Sequence, residues 1–198
     1  MVIRQPAKRQ LTPDDWARAA FRAMGRGGVD AVAIEPIAAE LEATKGSFYW
    51  HFKNRDSLIE AALSEWERKL TDTVIERLNQ EPDPAERLKL LFAGASEMPS
   101  PDRAAELAIL ANPEHPIVRR AARRVSQRRI TYMAAQFEQL GWDSTEALDR
   151  AVLVGSIYVG LLQAKHLVPH LVSGDARQRQ FDLAFSALVT TDLGASMR

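Results

Sequence analysis

An all-α fold is what this sequence predicts, on three observations. Apolar residues recur at three- and four-residue spacing along most of the 198 residues. The period-two alternation of a half-buried strand is nowhere sustained. Proline-bearing breaks at 81–84, 98–101 and 112–116 divide the periodic stretches into segments of helical length.

The elements follow in order. Thr12-Pro13-Asp14-Asp15 opens the first helix, with Thr12 as N-cap, Pro13 in the first turn and carboxylates at the positive helix end. Trp16, Ala19, Ala20 and Met24 form its buried stripe, and the glycines at 25–28 end it. A second helix is expected over 35–41 and a third over 45–51, with Glu42-Ala43 between them. A long helix over 54–79 then carries Leu58, Ala62, Trp66, Leu70, Val74 and Leu78 as one stripe. Further helices follow the breaks, around Leu88 to Phe92, over 104–110 and over 117–140. Gly141 stops the last of these; a strongly apolar helix runs from Ser144 to near Pro169, and a final one covers 176–189. The total is about nine helices, divided into a head at 1–55 and a body at 56–198.

Composition narrows the function. Hydrophobic residues make up 46% and charged residues 26%, the balance of a folded globular chain. Without cysteine there is no disulfide framework, thiolate chemistry or Cys-based zinc site, which fits the cytoplasm as the expected location. The start, MVIRQPAKRQ, lacks the apolar core of a signal peptide, and no uninterrupted apolar run approaches the roughly 20 residues that span a bilayer. No membrane partner is therefore expected. Neither HExxH, GxSxG nor a Gly-rich phosphate loop is present, so no catalytic residues, metal or cofactor are assigned and the chain is not read as an enzyme. Net charge is zero overall, but residues 1–55 are net positive and the remainder net negative. A basic head on an acidic body suits a protein of which one end meets a polyanion.

The chemistry concentrates in 34–58. A short apolar-periodic helix, a tight turn, a short polar-aromatic helix and then cations is the layout of a helix-turn-helix DNA reader. The string TKGSFYWHFKNRDSL, Thr44 to Leu58, resembles the DNA-binding domain of TetR-family transcriptional regulators, and the resemblance covers about 11–58. It implies that the third helix enters the major groove. Thr44, Lys45, Gly46 and Ser47 would then approach bases or adjoining phosphates, with Tyr49 and His51 making backbone and edge contacts. Lys53 and Arg55 would grip phosphate at the start of the next helix. Phe48 and Phe52 should point into the core, and Trp50 is left open between DNA and packing. Two departures from the family's pattern stand out: Glu42 where the turn usually has Gly, and Ala33 where Ser or Thr often caps the second helix.

The same resemblance implies a homodimer on a near-palindromic operator in double-stranded DNA, controlled by a small-molecule effector not yet identified. Trp66, Phe92, Met98, Leu107, Leu110, Met133, Phe137 and Tyr158 are the candidates for an effector pocket, with Tyr132, Tyr158 and Gln163 as its polar groups. Ala151, Gly155, Val159 and Leu162, with Phe181, Phe185 and Leu188, are the candidates for the dimer interface, because small residues at four-residue spacing let helices approach closely. The arginines at 119–129 are read as a solvated face paired with neighbouring carboxylates, and His166 with His170 as residues near a helix end.

Overall fold

The computed structural model describes residues 10–96 and 101–189, and among them all regular structure is helical. The elements are α1 (Pro13–Gly27), a 3₁₀ turn (Val29–Ala31), α2 (Ile34–Glu40), α3 (Lys45–Tyr49), α4 (Arg55–Glu67), a π-helical turn (Arg68–Asp72), α5 (Thr73–Leu78), α6 (Pro84–Ser96), α7 (Pro101–Leu110), α8 (Pro116–Gln139), α9 (Ser144–Leu167), a second 3₁₀ turn (Pro169–Leu171) and α10 (Asp175–Val189). The stretch from α4 through the π turn into α5 is continuous and corresponds to the single helix expected over 54–79.

Caps form where the sequence places them. The Thr12 hydroxyl accepts from the Asp15 N–H at 3.3 Å, and the Asp15 carboxylate accepts from the Thr12 N–H at 2.9 Å. Asn54 and Ser57 make the same reciprocal pair at the start of α4. Gly25 has a further role. A Cβ there would stand 3.1 Å from the Pro101 carbonyl oxygen and 3.2 Å from the Ala105 nitrogen, so its bare backbone is what lets α1 and α7 pack this closely.

Two apolar cores result. The first joins Trp16, Phe48, Leu58 and Trp66 of α1, α3 and α4 to Ala105 and Ile109 of α7 and Val118, Ala121 and Val125 of α8. It crosses residue 55, so head and body share packing. Burial of each large side chain in it contributes about 1.5–3 kcal/mol. The second core joins α6, α8, α9 and α10 through Leu88, Phe92, Phe137, Ala151 and Phe181.

That second core corrects part of the expected interface. Ala151 and Phe181 are buried within their own chain, and Phe181 meets Phe92 edge-on at 6.2 Å. Phe185 and Leu188 pack partly on the same cluster. Of the small-residue stripe of α9, Ala151 faces inward toward α8, whereas Gly155 is half-buried and Val159 is exposed. The outer face of α9 instead carries Leu148, Val152 and Leu153 in the open, at 46%, 43% and 51% exposure, and α10 adds Leu183 at 72%. The helix Ser144–Leu167, with a best-window mean hydropathy of 1.3, is by length and composition apolar enough to cross a membrane, contrary to the sequence expectation. One side of it packs against α8, and Arg150 donates to the Leu188 carbonyl and the Glu146 carboxylate.

Candidate nucleic-acid interface and ligand cavity

α3 is short, and its start is fixed by Thr44, whose hydroxyl accepts from the Ser47 N–H at 3.1 Å. Phe48 is fully buried and stacks on Phe52 at 5.5 Å with an edge-on contact to Trp16 at 5.4 Å, which anchors the helix to α1. With that side buried, the other side is presented outward. Thr44, Lys45, Gly46, Tyr49, Trp50 and Lys53 are exposed, and Ser47 and His51 half-buried. Trp50, left open by the sequence, is 88% exposed and belongs to the outward surface. A Cβ at Gly46 would meet nothing nearer than the Thr44 hydroxyl at 3.7 Å, so the backbone there is open to an incoming surface.

Both departures noted in the sequence have structural counterparts. Glu42 has φ +50°, the left-handed region in which a side chain costs on the order of 1 kcal/mol relative to glycine. Ala33 occupies the N-cap of α2 with no side-chain hydrogen bond. Lys45 is held by Glu35 at 2.6 Å on the surface, and this pairing lowers the Glu35 pKa and raises that of Lys45. An incoming phosphate would have to draw the ammonium off that carboxylate.

Arg55 differs from its expected part. Its Nε donates to the Val32 carbonyl at 2.6 Å and its Nη2 to the Val29 carbonyl at 2.7 Å, with Asp30 at 3.8 Å. The guanidinium closes the loop between α1 and α2, adding a second donor to the Val29 carbonyl that already accepts from the Val32 N–H. Lys53 is exposed just ahead of the Asn54 cap.

Behind the head lies a cavity of about 780 Å³. Trp66, Phe92, Leu110, Met133 and Tyr158 are part of its wall, as the sequence proposed, together with Tyr132 and Gln163. Leu107 and Phe137 are not, and Phe137 is core. Met98 lies outside the described residues. Gly155, Val159 and Phe181, expected at a dimer interface, face this cavity too. The sequence missed Arg77, Arg103 and Arg129, which also line it.

Comparison with known proteins bears on both features. Residues 17–62 match the family profile described as bacterial regulatory proteins, tetR family. That stretch is a TetR-family segment, and it spans most of α1, all of α2 and α3 and the start of α4. A transcriptional regulator from Rhodococcus sp. RHA1 superposes with a TM-score of 0.73 at 21% identity, covering 90% of this chain and 96% of that one. A TetR regulator from Legionella pneumophila reaches 0.77 at 14% identity, covering 90% and 97%. SmeT, the repressor of the Stenotrophomonas maltophilia multidrug efflux pump SmeDEF, reaches 0.70 at 20% identity, covering 94% of each. At these identities the likeness establishes the fold. Among curated proteins the sequence has no match.

The arginines of α8 tie the helix leaving this TetR-like head to the body. Arg120 pairs with Glu60 at 3.5 Å, Arg124 with Glu67 at 2.6 Å and Arg128 with Asp72 at 2.9 Å. The paired-face reading of the sequence holds for these three, with the carboxylates supplied by α4 and the π turn, whereas Arg129 turns inward to the buried Glu106. Deeper in, Glu106 is fully buried and accepts from Arg129 at 2.5 Å, Arg103 at 3.1 Å and the Tyr158 hydroxyl at 2.5 Å. Although burial pushes the Glu106 carboxyl upward, Arg129 and its other donors outweigh this and hold it below the usual range. Burial and the Glu106 charge push the Tyr158 phenol well above its ordinary value. Arg129 also donates to the Thr71 hydroxyl at 2.9 Å and the Leu70 carbonyl at 3.1 Å, both in the π turn. The sequence signal for this cluster was a lone Glu three residues after Arg103 in an otherwise apolar helix. His166 and His170 are separated by the end of α9, so they do not share a helical face.

Proposed function

We propose that the chain is a homodimeric repressor that a small molecule releases from a near-palindromic operator. The observation that carries this is the path of one rod. The helix that begins beside the exposed face of α3 is the one whose Trp66, Leu70, Val74 and Leu78 wall the cavity. In this reading the head ends near residue 55 and the body, from 56 on, holds effector and partner. Thr44, Lys45, Gly46, Ser47, Tyr49, Trp50, His51 and Lys53 meet DNA, with Arg55 holding the head together. A two-fold dimer would set two recognition helices roughly 34–36 Å apart, in successive major grooves. A second copy would cover the exposed outer face of α9 and Leu183, giving Ser144–Leu167 an apolar partner in the cytoplasm without a membrane. An effector acts through its differential affinity for the two head spacings, typically about 1–3 kcal/mol of coupling. SmeT, described as a repressor, lends the sign of the regulation by analogy.

The test is selection of genomic fragments by the purified protein, repeated with Tyr49→Ala and His51→Ala combined. A palindromic site recovered by the parent and lost by the double variant, with the dimer intact, is the expected result. Undiminished binding by that variant would show that α3 is not the reader.

A further inference from the structure

We infer that the cavity accepts an amphipathic organic acid, an apolar body carrying one anionic group, with that group received at Arg103. The inference rests on the effector reading above and gives it a chemical class. Among the described residues the wall contains three arginines, Arg77, Arg103 and Arg129, and no Asp or Glu. One carboxylate, Glu106, stands behind it and offsets one of the two inner charges, so the inner cluster keeps a net positive charge. The three cations are not equally committed. Arg129 is saturated: its Nε, Nη1 and Nη2 go to Thr71, Glu106 and Leu70. Arg103 uses Nη1 alone, on Glu106 and the Tyr158 hydroxyl, and leaves Nε and Nη2 without a partner among the described residues. Its side chain retains 23% exposure while Glu106 beside it has none. Arg77, exposed at the edge of the cavity, has no side-chain partner among the described residues either.

A guanidinium with one committed edge and one open edge is pre-oriented for a carboxylate, and it cannot discard its charge when water is excluded. The two phenols of the wall do not compete for a cation. The Tyr158 hydroxyl is committed to Glu106 and the Tyr132 hydroxyl to Asn79. Around them the wall is aliphatic and aromatic, from Val74 and Ile75 to Phe92 and Met133. A cationic ligand would meet uncompensated like charge there, and a neutral one would leave the open edge of Arg103 desolvated and unpaired.

Titration calorimetry on the full chain with decanoate, 1-decanol and decylammonium tests this, since the three share a tail and differ in charge. Decanoate should bind at least about tenfold more tightly than 1-decanol, the return expected of a charge-assisted pair. Arg103→Gln should remove that preference and leave 1-decanol unchanged. Because Arg103 also supports Glu106, Arg77→Gln at the exposed edge is the second variant, expected to weaken decanoate selectively. Equal or tighter binding of 1-decanol or decylammonium to the parent, or no decanoate binding at all, overturns the inference. Operator release, measured separately, keeps the two readings apart. Selective decanoate binding without release supports the anion site and removes the effector reading. Release by 1-decanol or decylammonium without decanoate preference does the reverse.

Discussion

Two glutamates show how differently one residue type is placed. Glu42, at φ +50°, occupies backbone that suits glycine, so Glu42→Gly should stabilise the chain by about 0.5–1 kcal/mol in urea unfolding, the relief of left-handed strain outweighing the added freedom of the unfolded chain. The family resemblance allowed this to be anticipated, since the turn between the second and third helices usually has Gly there. Glu106 could not be placed so: its apolar helix and the Arg103 three residues before it mark it, but its burial follows only once Arg129 of another helix is seen to reach it. Because its folded pKa is depressed, its ionised form contributes stability that is full above the ordinary carboxylate range and fades as pH falls through the folded value. Acid unfolding should show this loss at low pH, and Glu106→Gln should flatten that limb. At neutral pH, removing the charge leaves Arg103 and Arg129 uncompensated in a buried site, so the same substitution should cost about 3–5 kcal/mol.

At the scale of the element, the start of α4 separates two cations that the sequence could not tell apart. Arg55 is bound to the carbonyls of Val29 and Val32, whereas Lys53 is exposed. Lys53→Ala should weaken operator binding evenly across sequences and reduce the slope of log K against log salt by about 1. Arg55→Ala should lower thermal stability, with about 1.5–3 kcal/mol lost for the charged hydrogen bonds, and leave the salt slope near the parent's. Paired salt titrations by fluorescence anisotropy, with melting curves, distinguish them. A steep fall in salt slope for Arg55→Ala would return that residue to the phosphate contacts.

Over the whole molecule, helix number and order were legible because periodicity and proline breaks are local signals. The faces of α9 were not. The stripe of Ala151, Gly155 and Val159 marks close packing, but Ala151 lies in the chain's own second core and Gly155 and Val159 line the cavity, with Val159 still exposed. Small residues report how near a neighbour comes, without saying whose it is. The exposed leucines were the better indicator of a partner, and only burial reveals them. Leu153→Arg with Leu183→Arg should yield monomers by sedimentation with the helical signal retained, and reduce operator affinity at least about tenfold as the two heads lose their linkage. A dimer that persists would put the interface elsewhere.

The π turn at Arg68–Asp72 has a consequence for how the chain tolerates length change. Strict four-residue spacing, as in Leu58, Ala62, Trp66, Leu70, Val74 and Leu78, drifts about 40° per step on a 3.6-residue helix. From Trp66 to Leu78 the drift would be about 120°, and a wide turn that takes up one extra residue, about 100°, nearly cancels it, which is what 68–72 does. The rod thus contains a spare link. Excising Lys69 would let the turn tighten into ordinary helix with Trp66 and Leu78 still on the same side, whereas excising one residue from Arg55–Glu67 would swing the head by about 100°.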